Sequence, residues 1–362
     1  MADDDIDDID FEKAFREFAE TAGPGADGEA DLLDEFDEKD EWELPDDGAE
    51  RILVIKLGAL GDFIQAMGPF KAIRNQHPDA RLVLLTTAPF ESLALNCGYF
   101  DNVWIDTRPP LKNVGALWDL RRHLKKGRFR RVYDLQTSDR SSAYFRLFWP
   151  RKPEWSGIAK GCSHPHSNPD RDNLHTITRQ AQQLAFAGIP KTPPPDLSWM
   201  KGDIDRLDIP FPFVLLVPGG APHRREKRWP AKAYGELCKR LLARGLTPVL
   251  LGSMEEESIM AEILEVCPLA HNLAGMTTLE DIGELARLAR GAVGNDTGPM
   301  HIIAAIGCQC VVLFSSASDP ALCAPLGRRV KTFRKVALMN VYVDEVEDAL
   351  RSRGTFKESE PS

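Results

Sequence analysis

The sequence predicts an α/β protein made of two doubly wound units with parallel sheets, and three observations predict it. Short apolar runs of buried-strand type are each followed by a glycine-containing turn and then by a stretch with helical spacing. This β-turn-α cadence starts at Arg51 and starts again at Phe213. A stretch rich in proline and charge, Lys191 to Asp208, separates the two series. With 362 residues, 43% of them hydrophobic, the chain can fill two cores of ordinary size.

In the first series Ile52-Leu53-Val54-Ile55 reads as a buried strand, Lys56 to Asp62 as a turn punctuated by Gly58 and Gly61, and Phe63 to Arg74 as a helix. Leu82 to Thr87 is the next strand, so the order β-turn-α-β calls for a parallel sheet whose ligands lie at the carboxyl ends of its strands. The series continues with a strand over Asn102 to Ile105, a helix over Leu117 to Lys126, a strand over Arg131 to Leu135 and a helix from Ser141. Residues 157–172, rich in Pro, His and Asn, read as a long loop, and His175 to Ala187 as a helix stopped by Gly188 and Pro190.

The second series opens with the strand Phe213 to Val217 and the helix Ala231 to Leu242. A strand over Thr247 to Leu251, a helix over Glu255 to Leu264 and a helix over Leu279 to Ala289 follow. The chain then reaches Gly294-Asn295-Asp296-Thr297-Gly298-Pro299-Met300-His301, the strand Cys310 to Phe314 and a last helix over Val343 to Arg353, expected to fold back across the interface. The predicted organisation is an arm over 1–50, an N-terminal domain over 51–200, a C-terminal domain over 209–340 and a C-terminal helix and tail over 341–362. The two sheets are expected to face a cleft.

Charge is divided along the chain. Residues 1–50 carry 22 acidic and 3 basic side chains, whereas the rest carries 33 acidic and 42 basic ones. An acidic segment with so few aliphatics cannot offset the entropy of ordering, so a mostly disordered arm is expected, with Phe11, Phe15 and Phe18 as one apolar stripe suited to a basic partner. The basic body suits anionic substrates or an anionic membrane face. Seven cysteines in apolar contexts show no disulfide framework, and no apolar run approaches the ~20 residues of a membrane span. A cytoplasmic protein, peripheral to the inner membrane at most, is the expectation. Cys162, His164, His166 and His175 match no standard zinc spacing, so no metal is expected.

The octet 294–301 carries the strongest chemical signal. Gly294 and Gly298 let backbone approach a ligand, and the N–H groups of the new helix present a site for a phosphate or diphosphate. Asn295, Asp296, Thr297, Pro299 and His301 complete it. An ordinary strand-to-helix turn capped by Asp296 fits the same residues. The loop Pro218 to Pro230 brings Gly219 and Gly220 and four cations, Lys227 among them, to another strand end of the same domain. Glu255, at a third strand end, suits ribose hydroxyls, while Glu256 and Glu257 suit the positive end of a helix. Asp62 is either a general base on a tight turn or the N-cap of a helix from Phe63. Gly61, Gln136, Arg140 and His175 are candidate acceptor contacts.

Ile52 to Lys56 with Gly61-Asp62 and Pro69, Asp134-Leu135-Gln136, Lys227-Arg228-Trp229-Pro230 and the octet occur in that order. Together they resemble glycosyltransferase family 9, the lipopolysaccharide heptosyltransferases, over residues 51–330. The resemblance implies a GT-B fold of two Rossmann-like domains and an inverting, metal-independent sugar transfer from an ADP-activated donor to a hydroxyl of a lipopolysaccharide-type acceptor. It implies no cofactor and no nucleic-acid partner. Asp62 falls at the family's general base, Lys227 at the lysine facing the donor phosphates, Thr297 and Gly298 on the diphosphate turn and Glu255 at the ribose. The sequence departs from the pattern at Pro222 and His223, where relatives carry Ser or Thr, and at the serines of 315–318. Transfer to a protein or another surface glycan, nucleotide-sugar epimerisation and a non-catalytic sugar-nucleotide-binding module are the alternative readings.

Overall fold

A computed structural model describes residues 42–220, 224–352 and 354–356. The stripe at Phe11, Phe15 and Phe18, and Pro222 and His223, lie outside the described residues. Two compact units are present. Among the described residues the first holds 42–58, 69–172 and 179–193; the second holds Ala59–Gly68, Asn173–Thr178 and everything from Pro194 on.

The chain runs β1 (Arg51–Ile55), α1 (Leu60–Gln65), α2 (Met67–Gln76), β2 (Arg81–Thr86), α3 (Glu91–Asn96), β3 (Asn102–Ile105), α4 (Val114–Lys126), β4 (Arg131–Asp134), α5 (Asp139–Leu147), β5 (Glu154–Gly157), β6 (His164–Pro165) and α6 (Thr176–Phe186). It continues with β7 (Phe213–Val217), α7 (Ala231–Leu242), β8 (Thr247–Leu250), α8 (Glu257–Val266), β9 (His271–Asn272), α9 (Leu279–Leu288), β10 (Gly291–Asn295), α10 (Gly298–Ile306), β11 (Cys310–Phe314), α11 (Pro320–Cys323), β12 (Val330–Arg334) and α12 (Val343–Ser352).

The first unit's sheet has the order β3-β2-β1-β4-β5-β6 and the second's the order β12-β11-β10-β7-β8-β9. Every pairing is parallel. Taken in chain order the two windings are the same, and each reverses direction beside its first strand, between β1 and β4 and between β7 and β10. Such a switch point splays the neighbouring loops apart and leaves a crevice at the strand carboxyl ends. The central strands are apolar throughout because both faces are covered: Ile52 to Ile55 and Phe213 to Leu216 are fully buried. Trp104, Trp155 and Tyr144 anchor the first core, and Trp229, Tyr234 and Leu237 the second.

Several expectations need correction. The arm does not extend to residue 50: Trp42 packs against Trp104 at 4.8 Å between ring centroids and stacks on His123 at 4.9 Å, and Leu44 joins the same core. Asp47 and Glu50 pair with Arg81 and Arg130. The helix expected over 63–74 is two helices, α1 and α2, meeting at Ala66. Pro69 explains the break, since its ring would collide with the carbonyl of Gln65 in a continuous helix. Residues 194–208 are no free linker: Leu197, Met200 and Leu207 are buried in the second unit, and Arg206 pairs with Asp281. The last helix, α12, packs on its own unit, burying Val346, Ala349 and Leu350 while Glu347 accepts from Arg240 of α7 and from Arg244 just beyond it. The loop over 157–172 contains the short strand β6, and no strand is anticipated at β12, an edge strand whose Lys331 and Arg334 are exposed and whose Val330, Thr332 and Phe333 are half-buried.

All seven cysteines are free thiols, six of them buried. Among the described residues no helix is long and apolar enough to cross a membrane.

Candidate active site

The second unit's switch point is built by the ends of β7 and β10. Asn295, the last residue of β10, is fully buried and ties the two loops together. Its Nδ2 donates to the carbonyls of Pro218 at 2.7 Å and Gly219 at 3.0 Å, while its Oδ1 accepts from the Trp229 N–H at 3.0 Å and the Tyr234 hydroxyl at 3.2 Å. All its polar capacity is spent on scaffold, so Asn295 shapes the site instead of facing a ligand.

Asp296, one residue on, receives Lys227 Nζ at 2.8 Å and the Ser318 hydroxyl at 2.7 Å on the same carboxylate oxygen. The Lys227 side chain is 15% exposed and that of Asp296 8% exposed, so the ammonium is held at the lip of the crevice by a nearly buried carboxylate. Of the other loop cations, Arg228 turns back to the Gly220 carbonyl at 2.6 Å, and Arg224 and Arg225 point to solvent. Thr297 is extended at φ −150°, Gly298 opens α10 and Pro299 is its second residue. In that first turn Pro299 has no N–H and the Met300 N–H donates to the Thr297 carbonyl at 3.1 Å, so the amides with no carbonyl in reach, and thus the donors for an anion, are those of Thr297 and Gly298.

Glu256 does more than charge a helix terminus. Its carboxylate accepts from the Gly220 N–H at 2.7 Å and the Ser253 N–H at 2.8 Å, pinning the β7 loop to the β8 loop. It also explains Gly219, because a Cβ there would sit 1.7 Å from Glu256 Oε1. Glu255 stays exposed beside it.

The short helix α1 belongs to this unit although it follows a strand of the other. Asp62 is its third residue, half-buried; the N-cap is Ala59, so the capping role is excluded for Asp62. Two glycines let α1 settle on α10. A Cβ on Gly61 would lie 2.7 Å from Cδ2 and Nε2 of His301, and one on Gly298 would lie 2.7 Å from the Leu60 side chain. Gln65 closes the contact. Its Nε2 donates to the Cys323 carbonyl at 3.2 Å and to His301 Nδ1 at 3.2 Å. Because a carbonyl on that side demands the amide NH2, His301 Nδ1 is the acceptor and the ring proton resides on Nε2, against Gly61. His175 Nε2 donates to the Ala324 carbonyl at 3.0 Å and its Nδ1 accepts from the Ile177 N–H at 3.3 Å, which anchors the start of α6. His301 and His175 are therefore positioning groups, and Gln65, Glu256 and Ser318 are site residues that spacing alone did not mark.

Burial pushes the His301 imidazolium down to about 4, against the pull of Asp296 and Asp62, so the ring is neutral near pH 7. The linkage has a definite sign. Between pH 6.5 and 4 the unfolded chain takes a proton here that the native chain refuses, so stability is full above 6.5 and is lost as pH falls through that window, by about 3 kcal/mol at most. His301→Asn is expected to remove this part of the acid sensitivity, read as unfolding free energies at pH 7 and 4.5. Equal pH slopes in both proteins would refute it. Gly61→Ala is expected to cost about 1–3 kcal/mol, seen as a melting point several degrees lower, because ring and helix must separate; an unchanged melting point would mean that α1 is not seated by this contact.

In the first unit the switch point is a polar scaffold. Lys56, buried, donates to the Leu135 carbonyl at 3.3 Å, and Gln136 Oε1 accepts from the Leu57 N–H at 3.0 Å. Asp134 is fully buried, accepts from the amides of Thr137 at 2.9 Å and Gln136 at 3.1 Å, and has its carboxyl pushed up to about 6 by burial. Arg140 is spent on the Pro109 carbonyl at 3.0 Å and the Tyr144 hydroxyl at 3.2 Å. Gln136 and Arg140 thus brace loops in this structure. Among the described residues no three His, Cys, Asp or Glu side chains gather as a metal-ligand set.

Two six-stranded parallel units of identical winding, with an anion-ready helix terminus and a lysine at a switch point, define the GT-B class of sugar transferase. The chain belongs to glycosyltransferase family 9: the family model described as glycosyltransferase family 9 (heptosyltransferase) matches residues 117–342, more than half of it. Lipopolysaccharide heptosyltransferase 2 of Escherichia coli K12 is 25% identical over 309 residues, covering 79% of this chain and 88% of that protein. Among solved structures, E. coli ADP-heptose lps heptosyltransferase II shares the fold with a TM-score of 0.68 at 23% identity, over 84% of this chain and 98% of that one. A family 9 glycosyl transferase from Veillonella parvula aligns with a TM-score of 0.73 at 17% identity, over 84% and 97%.

Proposed function

We propose that the protein transfers a heptose from ADP-heptose to a hydroxyl of a lipopolysaccharide-type acceptor, with inversion and without a metal. Asp62 takes the proton of the acceptor hydroxyl as that oxygen attacks the anomeric carbon. The bond from that carbon to the diphosphate oxygen breaks, and ADP leaves with the electron pair. Lys227 and the amides of Thr297 and Gly298 at the start of α10 neutralise the charge growing on the leaving diphosphate. Gly220, whose Cβ position is open, admits the donor's approach to the β7 loop while Gly219 seats Glu256 beneath it, and Glu255 bonds the ribose. The acceptor is anionic and membrane-borne, which suits a body with 42 basic against 33 acidic side chains beyond residue 50 and places the reaction at the inner membrane face.

The observation that carries this reading is the seating of α1 on α10 through Gly61 and His301, within the unit that holds the Lys227–Asp296 pair. One carboxylate without a capping duty and one ammonium at a helix terminus are the two charges the transfer needs. The test is ADP release from ADP-heptose with and without a heptose-accepting core glycolipid. Acceptor-dependent release is expected; release that ignores the acceptor, or failure to bind any ADP-sugar, would overturn the assignment.

A further inference from the structure

From the second unit we infer that the edge of its sheet, from Leu326 to Tyr342, seats the protein on an anionic lipid surface. The inference rests on the membrane-borne acceptor proposed above and names the face that meets the membrane. Residues 326–342 hold five basic side chains, Arg328, Arg329, Lys331, Arg334 and Lys335, and no acidic one. They run along β12, the outermost strand of the sheet, and into the loop that leads to α12. Arg334 pairs with Asp319 at 3.1 Å and Lys335 with Glu345 at 3.0 Å. Arg328, Arg329 and Lys331 are exposed and have no ion pair among the described residues.

Apolar side chains stand among these charges. Leu326 is 52% exposed, Val336 80%, Met339 72% and Tyr342 69%. Large apolar residues scattered singly over a surface are ordinary, whereas three between 336 and 342 beside a run of cations call for an apolar neighbour. The loop that carries them is pinned. The Val336 carbonyl accepts from the Ser316 hydroxyl at 3.0 Å, the Val341 carbonyl from Trp229 Nε1 at 2.9 Å, and the Tyr342 N–H donates to Glu345 Oε2 at 3.0 Å. With its backbone held there, the loop turns Leu338 and Val341 into the second core and leaves Val336, Met339 and Tyr342 to solvent. The interfacial zone of a bilayer takes such side chains while its anionic headgroups take the cations. A second copy of this face would set cations against cations, and charged side chains on an edge strand oppose pairing with another strand. The face also borders the candidate site. Because β12 runs parallel to its neighbour, Val336 lies at the same edge of the sheet as the Lys227–Asp296 pair, and Trp229, which holds Val341, donates its N–H to Asn295.

The test is flotation of the full chain, without substrate, with vesicles of about 30% phosphatidylglycerol in phosphatidylcholine at 0.1 M salt. Wild type is expected to bind them at least tenfold more tightly than pure phosphatidylcholine, and to lose that preference at 1 M salt, where the screening length is about 3 Å. A cation close to an anionic leaflet contributes about fivefold to partition, so R328Q with R329Q and K331Q should weaken binding more than tenfold. V336S with M339S and Y342S should weaken it as much with every charge kept. All six side chains are exposed, and an unchanged melting point checks that the fold survives. With a lipid-free, heptose-accepting core oligosaccharide both variants should release ADP at the wild-type rate. Wild type that turns over this soluble acceptor yet ignores the vesicles would overturn the docking and leave the reaction standing. Vesicle binding that both variants lose, with no ADP release by any of the three proteins, would uphold the docking and remove the reaction. Equal binding by wild type and either variant, or a wild-type dimer that both variants dissolve, would overturn the docking, the second result assigning the face to another copy of the chain.

Discussion

Asp62→Asn is expected to lower kcat for acceptor-dependent ADP release by about 10²–10⁴-fold while leaving the fold intact. The magnitude is that of a positioned general base, since the amide keeps the shape of the carboxylate and loses its ability to take a proton. Structural damage should be small. The side chain caps nothing, the N-cap being Ala59, and α1 is held by Gly61, Gln65 and Leu60 instead. The KM for ADP-heptose should stay within a few fold, because a base acts on the acceptor. Steady-state kinetics together with a thermal melt check this; a kcat within tenfold of wild type would remove Asp62 from the chemistry.

Lys227→Ala is expected to reduce kcat/KM by about 10²–10³-fold, the usual loss when one preorganised charge is withdrawn from a developing anion. Here KM should rise as well, since the diphosphate is already charged in the bound donor. Stability should also fall, because among the described residues Asp296 would keep only the Ser318 hydroxyl as a side-chain partner for a nearly buried carboxylate. The double substitution Lys227→Ala with Asp296→Asn separates the two effects. It should recover the melting temperature and leave activity low. If activity returned with stability, Lys227 would be a scaffold residue and the clamp would have to lie elsewhere.

Much of the framework was legible residue by residue. Runs such as Ile52 to Ile55 and Phe213 to Val217 can only be strands covered on both faces, and the restart at Phe213 marks the second winding. The octet declared a helix start by Gly298 and Pro299 in sequence alone. Edge elements were not legible: β12 has two exposed cations and no fully buried side chain, so its apolar signal is weak, and β6 and β9 are two residues long. Residues 194–208 looked like a linker because prolines and charges outnumber Leu197, Met200 and Leu207, the three side chains that actually bury.

The roles inside the site divide in the same way. Local sequence determined what depends on near neighbours: strand, turn, helix terminus, and the residue types that can take a proton or hold a phosphate. Tertiary structure alone decided which polar groups are left for a ligand, because hydrogen-bonding capacity is consumed by partners far along the chain. Asn295 is spent on Pro218, Gly219, Trp229 and Tyr234; Gln136 on Leu57; Arg140 on Pro109 and Tyr144. Asp62 joins the second unit through Gly61, which admits a ring 240 positions later in the chain, and no periodicity within α1 encodes that ring. A folded chain pairs nearly every buried polar group, so the residues that remain for chemistry are defined by what the rest of the molecule does not use.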